Sequence, residues 1–149
     1  MLKQIHPIAG FIGFLVILAF WTSTVLAELS GQAETILAVK TGILWGMILL
    51  IPSLAVAGGT GFRLAGPDAK GLAGTKKRRM PFIAANGLLV LVPCAVFLQR
   101  LAAADTYGTI FYAVQAVELV AGLVNLTLIG LNIRDGLRMT KRRRQRKAR

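Results

Sequence analysis

The chain has 149 residues, 55% of them hydrophobic, and sets 18 Lys and Arg against 6 Asp and Glu for a net charge of +12. Apolar and basic residues are segregated: Lys and Arg collect between Lys70 and Arg79 and between Arg134 and Arg149, and long stretches outside these runs carry almost no charge. That pattern excludes an ordinary soluble domain, and the single Cys94 excludes an internal disulfide, a paired-cysteine redox cycle and a cysteine zinc site.

Four apolar segments, about 7–27, 36–57, 81–99 and 108–133, are each long enough to cross a hydrocarbon core of roughly 30 Å at a rise of about 1.5 Å per residue. They lack the alternation of a barrel strand, so they predict an all-α integral membrane protein: four transmembrane helices in two antiparallel hairpins forming a bundle over 1–133. The first segment also resembles a signal peptide, with Lys3 ahead of it and the small-residue motif Val25–Ala27 at its end. Its apolar run is long for such a leader, and it is read as a retained helix.

Between the second and third segments, 58–80 reads as an irregular, basic, Gly-rich connector containing Pro67 and Asp68. Its glycines do not form a phosphate loop, because the lysine and hydroxyl residue that follow the second glycine of such a loop are missing and no strand precedes it. With four crossings, Lys3, the connector and the polybasic tail 134–149 fall on one side, while Glu28, Glu34, Asp105 and Arg100 fall on the other, with Lys40 just inside the second segment. The positive-inside rule then places both termini in the cytoplasm, with the chain a multi-pass protein of a bacterial inner membrane.

The fourth segment raises the sharpest chemical question, because it carries Gln115, Glu118, Asn125 and Asn132. With Gly122 and Ile129 these residues are spaced 3 or 4 apart, which keeps them on one helical face. An ionisable group near the bilayer centre costs roughly 2.5 to 3.5 kcal/mol on insertion scales, so the stripe is expected to face protein. Lys40, early in the second segment, is the one basic residue able to reach Glu118 from within the membrane. The alternative is that burial keeps Glu118 protonated, donating to Gln115 or to a hydroxyl of the first segment. Asn86 and Ser53 complete the expected intramembrane polar seam.

The single histidine, His6, stands before Pro7 and near Gly10 and Gly13, where a flat ring has room to approach. Met80 opens the third segment on the same side, so His6 and Met80 form an axial pair for haem b on paper, and a homodimer offers two copies of His6 instead; an interfacial histidine that only hydrogen-bonds, or one that contacts a quinone or headgroup, fits the same position. Trp21, Trp45, Tyr107 and Tyr112 suit helix ends or polar pockets, and Pro52 and Pro93 are expected to kink their helices. Lys76, Lys77, Arg78 and Arg79, with Arg142, Arg143 and Arg144 of the tail, are assigned to anionic lipid headgroups at about 1 kcal/mol per basic residue. No aromatic is interleaved to stack on bases, so no nucleic-acid partner is expected.

These features predict a small inner-membrane accessory or partner subunit, homo-oligomeric or part of a larger membrane complex, whose seam holds an apolar ligand such as quinone or haem. A proton-coupled or ion-conducting transporter using Glu118 is the first alternative, and a single-haem b-type oxidoreductase using His6 the second. A disulfide-forming quinone reductase, a multi-haem cytochrome and a hydrolase lack the residues they need.

Overall fold

The computed structural model describes residues 2–66 and 70–147, with side chains at all of these except 2, 3, 142–144, 146 and 147. Among the described residues every regular element is helical: α1 Leu2–Ser30, α2 Ala33–Ala65, α3 Gly71–Asn86, a π-helical turn Gly87–Leu91, α4 Val92–Ala103 and α5 Thr109–Lys147. The third rod of the bundle is α3, the π turn and α4 run together. Four rods, Gln4–Ser30, Ala33–Ala65, Gly71–Ala103 and Thr109–Lys141, are long and apolar enough to cross a membrane.

Leu and Ala dominate the apolar runs and favour helix, and in apolar surroundings only a helix pairs every backbone group of a single segment within itself. The first rod ends because Gly31 takes the left-handed conformation (φ 64) and returns its N–H to the Glu28 carbonyl at 3.2 Å. With so short a link, α2 folds back along α1. Gly10 faces Ala57, Gly13 faces Leu54 and Gly46 faces Phe20, in opposite order along the two helices.

The stretch 58–80 is mostly helix, which corrects the irregular connector expected there. α2 runs on to Ala65 and α3 begins at Gly71, so the third rod starts well before residue 81. An isolated glycine costs a helix only about 1 kcal/mol against alanine, and Lys and Arg are good helix formers, so composition alone does not break the chain. Among the described residues α2 closes at Gly66, whose φ is 71, and α3 opens at Gly71, whose φ is 61. Pro67 and Asp68 lie outside the described residues. The basic tail is likewise helical to Lys147, because Leu, Met, Lys, Arg and Gln follow Gly136 with no proline among them.

Pro93 explains the π turn. It has no N–H to return to Leu89, and its ring crowds that carbonyl; the Val92 N–H instead reaches back five residues to the Gly87 carbonyl. Pro52 leaves α2 unbroken, and Ser53 Oγ donates to the Leu49 carbonyl of the preceding turn at 2.7 Å. The widened turn carries the third rod away from its neighbour: α2 approaches α3 and α4 closely but stays clear of the π turn between them.

Two apolar clusters hold the rods. One, at the end carrying the 31–32 and 104–108 links (the loop end), joins Ala27, Ile36, Leu98, Ala102 and Phe111. The other, toward the end carrying the basic residues (the basic end), joins Ile17, Ile83, Leu126 and Ile129. Outside them the surface is itself apolar, with Leu89 75% and Trp45 71% exposed. Close approach of α1 and α2 depends on small residues: a Cβ at Gly46 would stand 2.6 Å from Phe20 Cε1, whereas one at Gly42 meets open space. Thermal unfolding in detergent should therefore show Gly46→Ala losing about 1 to 3 kcal/mol through overpacking, while Gly42→Ala is neutral or gains up to about 1 kcal/mol.

Candidate functional site

The α5 stripe faces protein along its length. Gln115, Gly122, Asn125, Ile129 and Asn132 are buried and Glu118 is 11% exposed. The stripe continues one step further to Asp135, 2% exposed, which sequence reasoning missed although its i+3 spacing from Asn132 was visible.

At the loop-end third of the stripe, Lys40 Nζ donates to Glu118 Oε2 at 2.6 Å, and Gln115 Nε2 donates to the same oxygen at 3.0 Å. Lys40 is 1% exposed, so its charge is neutralised by protein alone. A second carboxylate stands nearby: Glu28, two residues before the end of α1, feels the charges of both Lys40 and Glu118. Glu28 Oε1 and Gln115 Oε1 are the two buried side-chain atoms, among those described, that find no hydrogen-bond partner. Glu28 escaped the sequence reading because it falls at a helix end, where an acid is unremarkable.

Midway along α5 the Asn86 amide donates to Asn125 Oδ1 at 2.9 Å and to the Ala121 carbonyl at 2.8 Å. Asn125 passes the chain back with a donation to the Ile83 carbonyl at 3.4 Å. Trp21 is turned inward, its indole N–H donating to the Leu119 carbonyl at 3.0 Å, and it comes this close because Gly122 has no Cβ. Trp45 faces outward.

At the basic end, Arg79 Nη1 binds Asp135 Oδ2 at 2.8 Å and Asn132 Oδ1 at 3.4 Å. Arg79 was assigned to headgroups on charge alone; the structure turns it onto α5, since a buried Asp135 needs a cation more than a solvated arginine needs a lipid. Lys77 Nζ donates to the Gly66 carbonyl at 2.7 Å, and Arg78 is exposed. Lys3, Arg142, Arg143 and Arg144 lie outside the described side chains. Ser53, bonded within its own helix, takes no part in the seam.

His6 and Met80 are brought together against Gly61, whose missing Cβ leaves room for Met80 Cε and His6 Cε1. Both imidazole nitrogens are engaged: Nδ1 lies 3.0 Å from the Ala57 carbonyl and 3.2 Å from Thr60 Oγ1, and Nε2 lies 3.1 Å from Lys76 Nζ. An ammonium donates only, so Nε2 is the acceptor and Nδ1 carries the proton to the backbone. Iron ligation would require Lys76 to leave. Lys76, too, is drawn inward from the headgroup role expected of it.

A cavity of about 380 Å³ runs from the Lys40–Glu118 cluster past the asparagine pair, as far as Gly58, Gly59 and Phe62 of α2. α1 makes no backbone approach to the third rod, and the space between them is filled by this void. Its wall is almost wholly apolar. Glu118 is the one charged group lining it, with Asn125 and Thr24 the other polar side chains of note. Among its lining residues Ile51 and Phe62 of α2 and Leu88 of the π turn are exposed. No protein-family model, curated protein or solved structure matches the chain.

The ion pair has a direct test. Lys40→Met strands Glu118 among apolar groups and should lower stability in detergent unfolding by about 3 kcal/mol, whereas the double variant Lys40→Met with Glu118→Leu should recover most of that loss. Equal losses in the single and double variants would show that the pair contributes packing only.

Proposed function

We propose that the protein is a multi-pass inner-membrane protein of four crossings in two hairpins, with both termini cytoplasmic, that takes an apolar ligand of the quinone class from the lipid phase. The observation that carries this reading is the cavity. It is apolar along its length, carries an acid near its loop end and an amide further along, and its exposed lining side chains, Ile51, Phe62 and Leu88, lie on α2 and the third rod.

The bilayer reading rests on the exterior. Side chains such as Leu89 and Trp45 are left uncovered by the fold, and water is a poor solvent for a surface of that kind. Orientation rests on charge: the basic residues gather at one end, and Glu28, Glu34 and Asp105 at the other. In a Cys94→Ala background, Thr106→Cys should react with a membrane-impermeant maleimide applied to intact cells, and Thr140→Cys only after lysis. The reverse pattern would invert the assigned topology.

Glu118 and Asn125 are seven residues apart on α5, about 10.5 Å along the axis, with Thr24 also on the wall. A planar ring bearing carbonyls at opposite edges meets hydrogen-bonding groups at both ends and apolar contact between them. Haem is less well supported, because His6 does not line the cavity and both of its nitrogens are engaged elsewhere. Any redox chemistry would belong to a partner in a larger membrane complex, which suits the accessory role expected from the sequence.

Gly58 supplies a clean test, since it lines the cavity and a Cβ added there meets nothing within 4 Å. Decylubiquinone titrated into purified protein should quench Trp21 fluorescence in a Trp45→Phe background. Gly58→Phe should abolish that quenching while leaving the helical circular dichroism unchanged. Quenching that survives the filled cavity places the quinone elsewhere and sinks the reading.

A further inference from the structure

The Lys40–Glu118 pair is not electrically closed. Glu28 of α1, partly buried at the same end of the bundle, is a second carboxylate close enough to feel the charge of the same lysine, so the fully ionised group carries two negative charges against one positive. Among the described residues its surroundings offer no further cation: the neighbouring titratable groups are Cys94 on α4 and Tyr107 of the 104–108 link, both neutral in their ordinary states, while Glu34, Arg100 and Asp105 are exposed. A net charge held among apolar side chains is strongly disfavoured, and a single bound proton removes it.

The orphaned atoms point the same way. Gln115 is 3% exposed, its amide nitrogen is bound to Glu118, and its oxygen is an acceptor with no donor. Glu28 Oε1 is likewise buried without a partner. Two unmatched acceptors at the same end of the bundle call for a donor, and protonating Glu28 turns one of them into a donor, directly or through a water.

We propose that Glu28, Lys40, Gln115 and Glu118 form a single-proton site linking the loop end of the bundle to the cavity. Glu28 lies two residues from the end of α1 and takes the proton from water; Glu118 lines the cavity and delivers it. The transfer balances without a co-reactant. A hydronium protonates the Glu28 carboxylate, the proton passes to the Glu118 carboxylate, Glu28 becomes anionic, and Lys40 stays an ammonium that neutralises whichever acid is ionised. Protonated Glu118 then donates a hydrogen bond to a carbonyl in the cavity. This last step alone rests on the ligand reading above.

Infrared difference spectroscopy of the purified protein without ligand tests the site itself. At neutral pH the wild type should show the carbonyl stretch of one buried carboxylic acid, which Glu28→Gln removes and Glu28→Asp retains, with circular dichroism confirming that each variant folds. If no carboxylic-acid band responds to Glu28→Gln, the proton site is overturned. Decylubiquinone titrations across pH test the coupling. Because the protonated site binds, wild-type affinity should be highest at low pH and weaken up to tenfold for each unit of rising pH, whereas Glu28→Gln should show no slope. A wild-type affinity that does not change with pH overturns the coupling. Absence of quinone binding at every pH, with the infrared band present, overturns the ligand reading and leaves the proton site supported.

Discussion

An ammonium and a carboxylate 2.6 Å apart inside a nearly charge-free bundle constrain the whole arrangement. The pair survives there only if protein surrounds it, which fixes the rotation of α5 about its axis and of α2 against it. Once Glu118 is turned inward, residues three and four positions away on α5 are turned inward too. Gly122 then falls under Trp21, Asn125 meets Asn86 of the third rod, and Asp135 meets Arg79. One charged contact near the loop end sets the register that the basic end reuses.

The three polar layers do different physical work. The asparagine pair exchanges neutral hydrogen bonds, which hold helices together at a fraction of a kcal/mol each in comparable bundles. The Arg79–Asp135 pair lies near a basic surface and brings a helical arm of otherwise repelling charges back onto α5. The Lys40–Glu118 layer differs because its charge count and its hydrogen-bond count both remain open, through Glu28 and Gln115. It also borders the cavity. Space and a titratable group therefore meet along one cavity, which the π turn before Pro93 and the glycines at 58 and 59 of α2 also line.

Much of the candidate site was legible because helical periodicity acts over three and four residues and is indifferent to tertiary detail. The Gln115–Asn132 stripe could be read from spacing, and its pairing with Lys40 from counting depth along two helices. Glu28 and Asp135 were overlooked for a shared reason: each stands at a segment end, where water normally solvates acids, and only the fold reveals whether water is excluded. Arg79 and Lys76 were assigned outward because charge alone predicts solvent or headgroups. Their inward partners, Asp135 and His6, are 56 and 70 residues distant in the chain. The helical connector was missed because glycine and proline mark turns reliably only when they fall together, as they do at 66 and 67 and nowhere else in that stretch.

The sequence alone determined that the chain is helical, how many long apolar rods it has, which face of the fourth carries polar groups and how charge divides between the two ends. These follow from composition and short-range periodicity, which act residue by residue. Only the tertiary structure decided that the backbones of α1 and the third rod stay apart, that the π turn parts from α2, and that a second carboxylate, Glu28, lies near the Lys40–Glu118 pair. Those outcomes depend on which side chains meet across helices, and packing of that kind is a property of several segments at once.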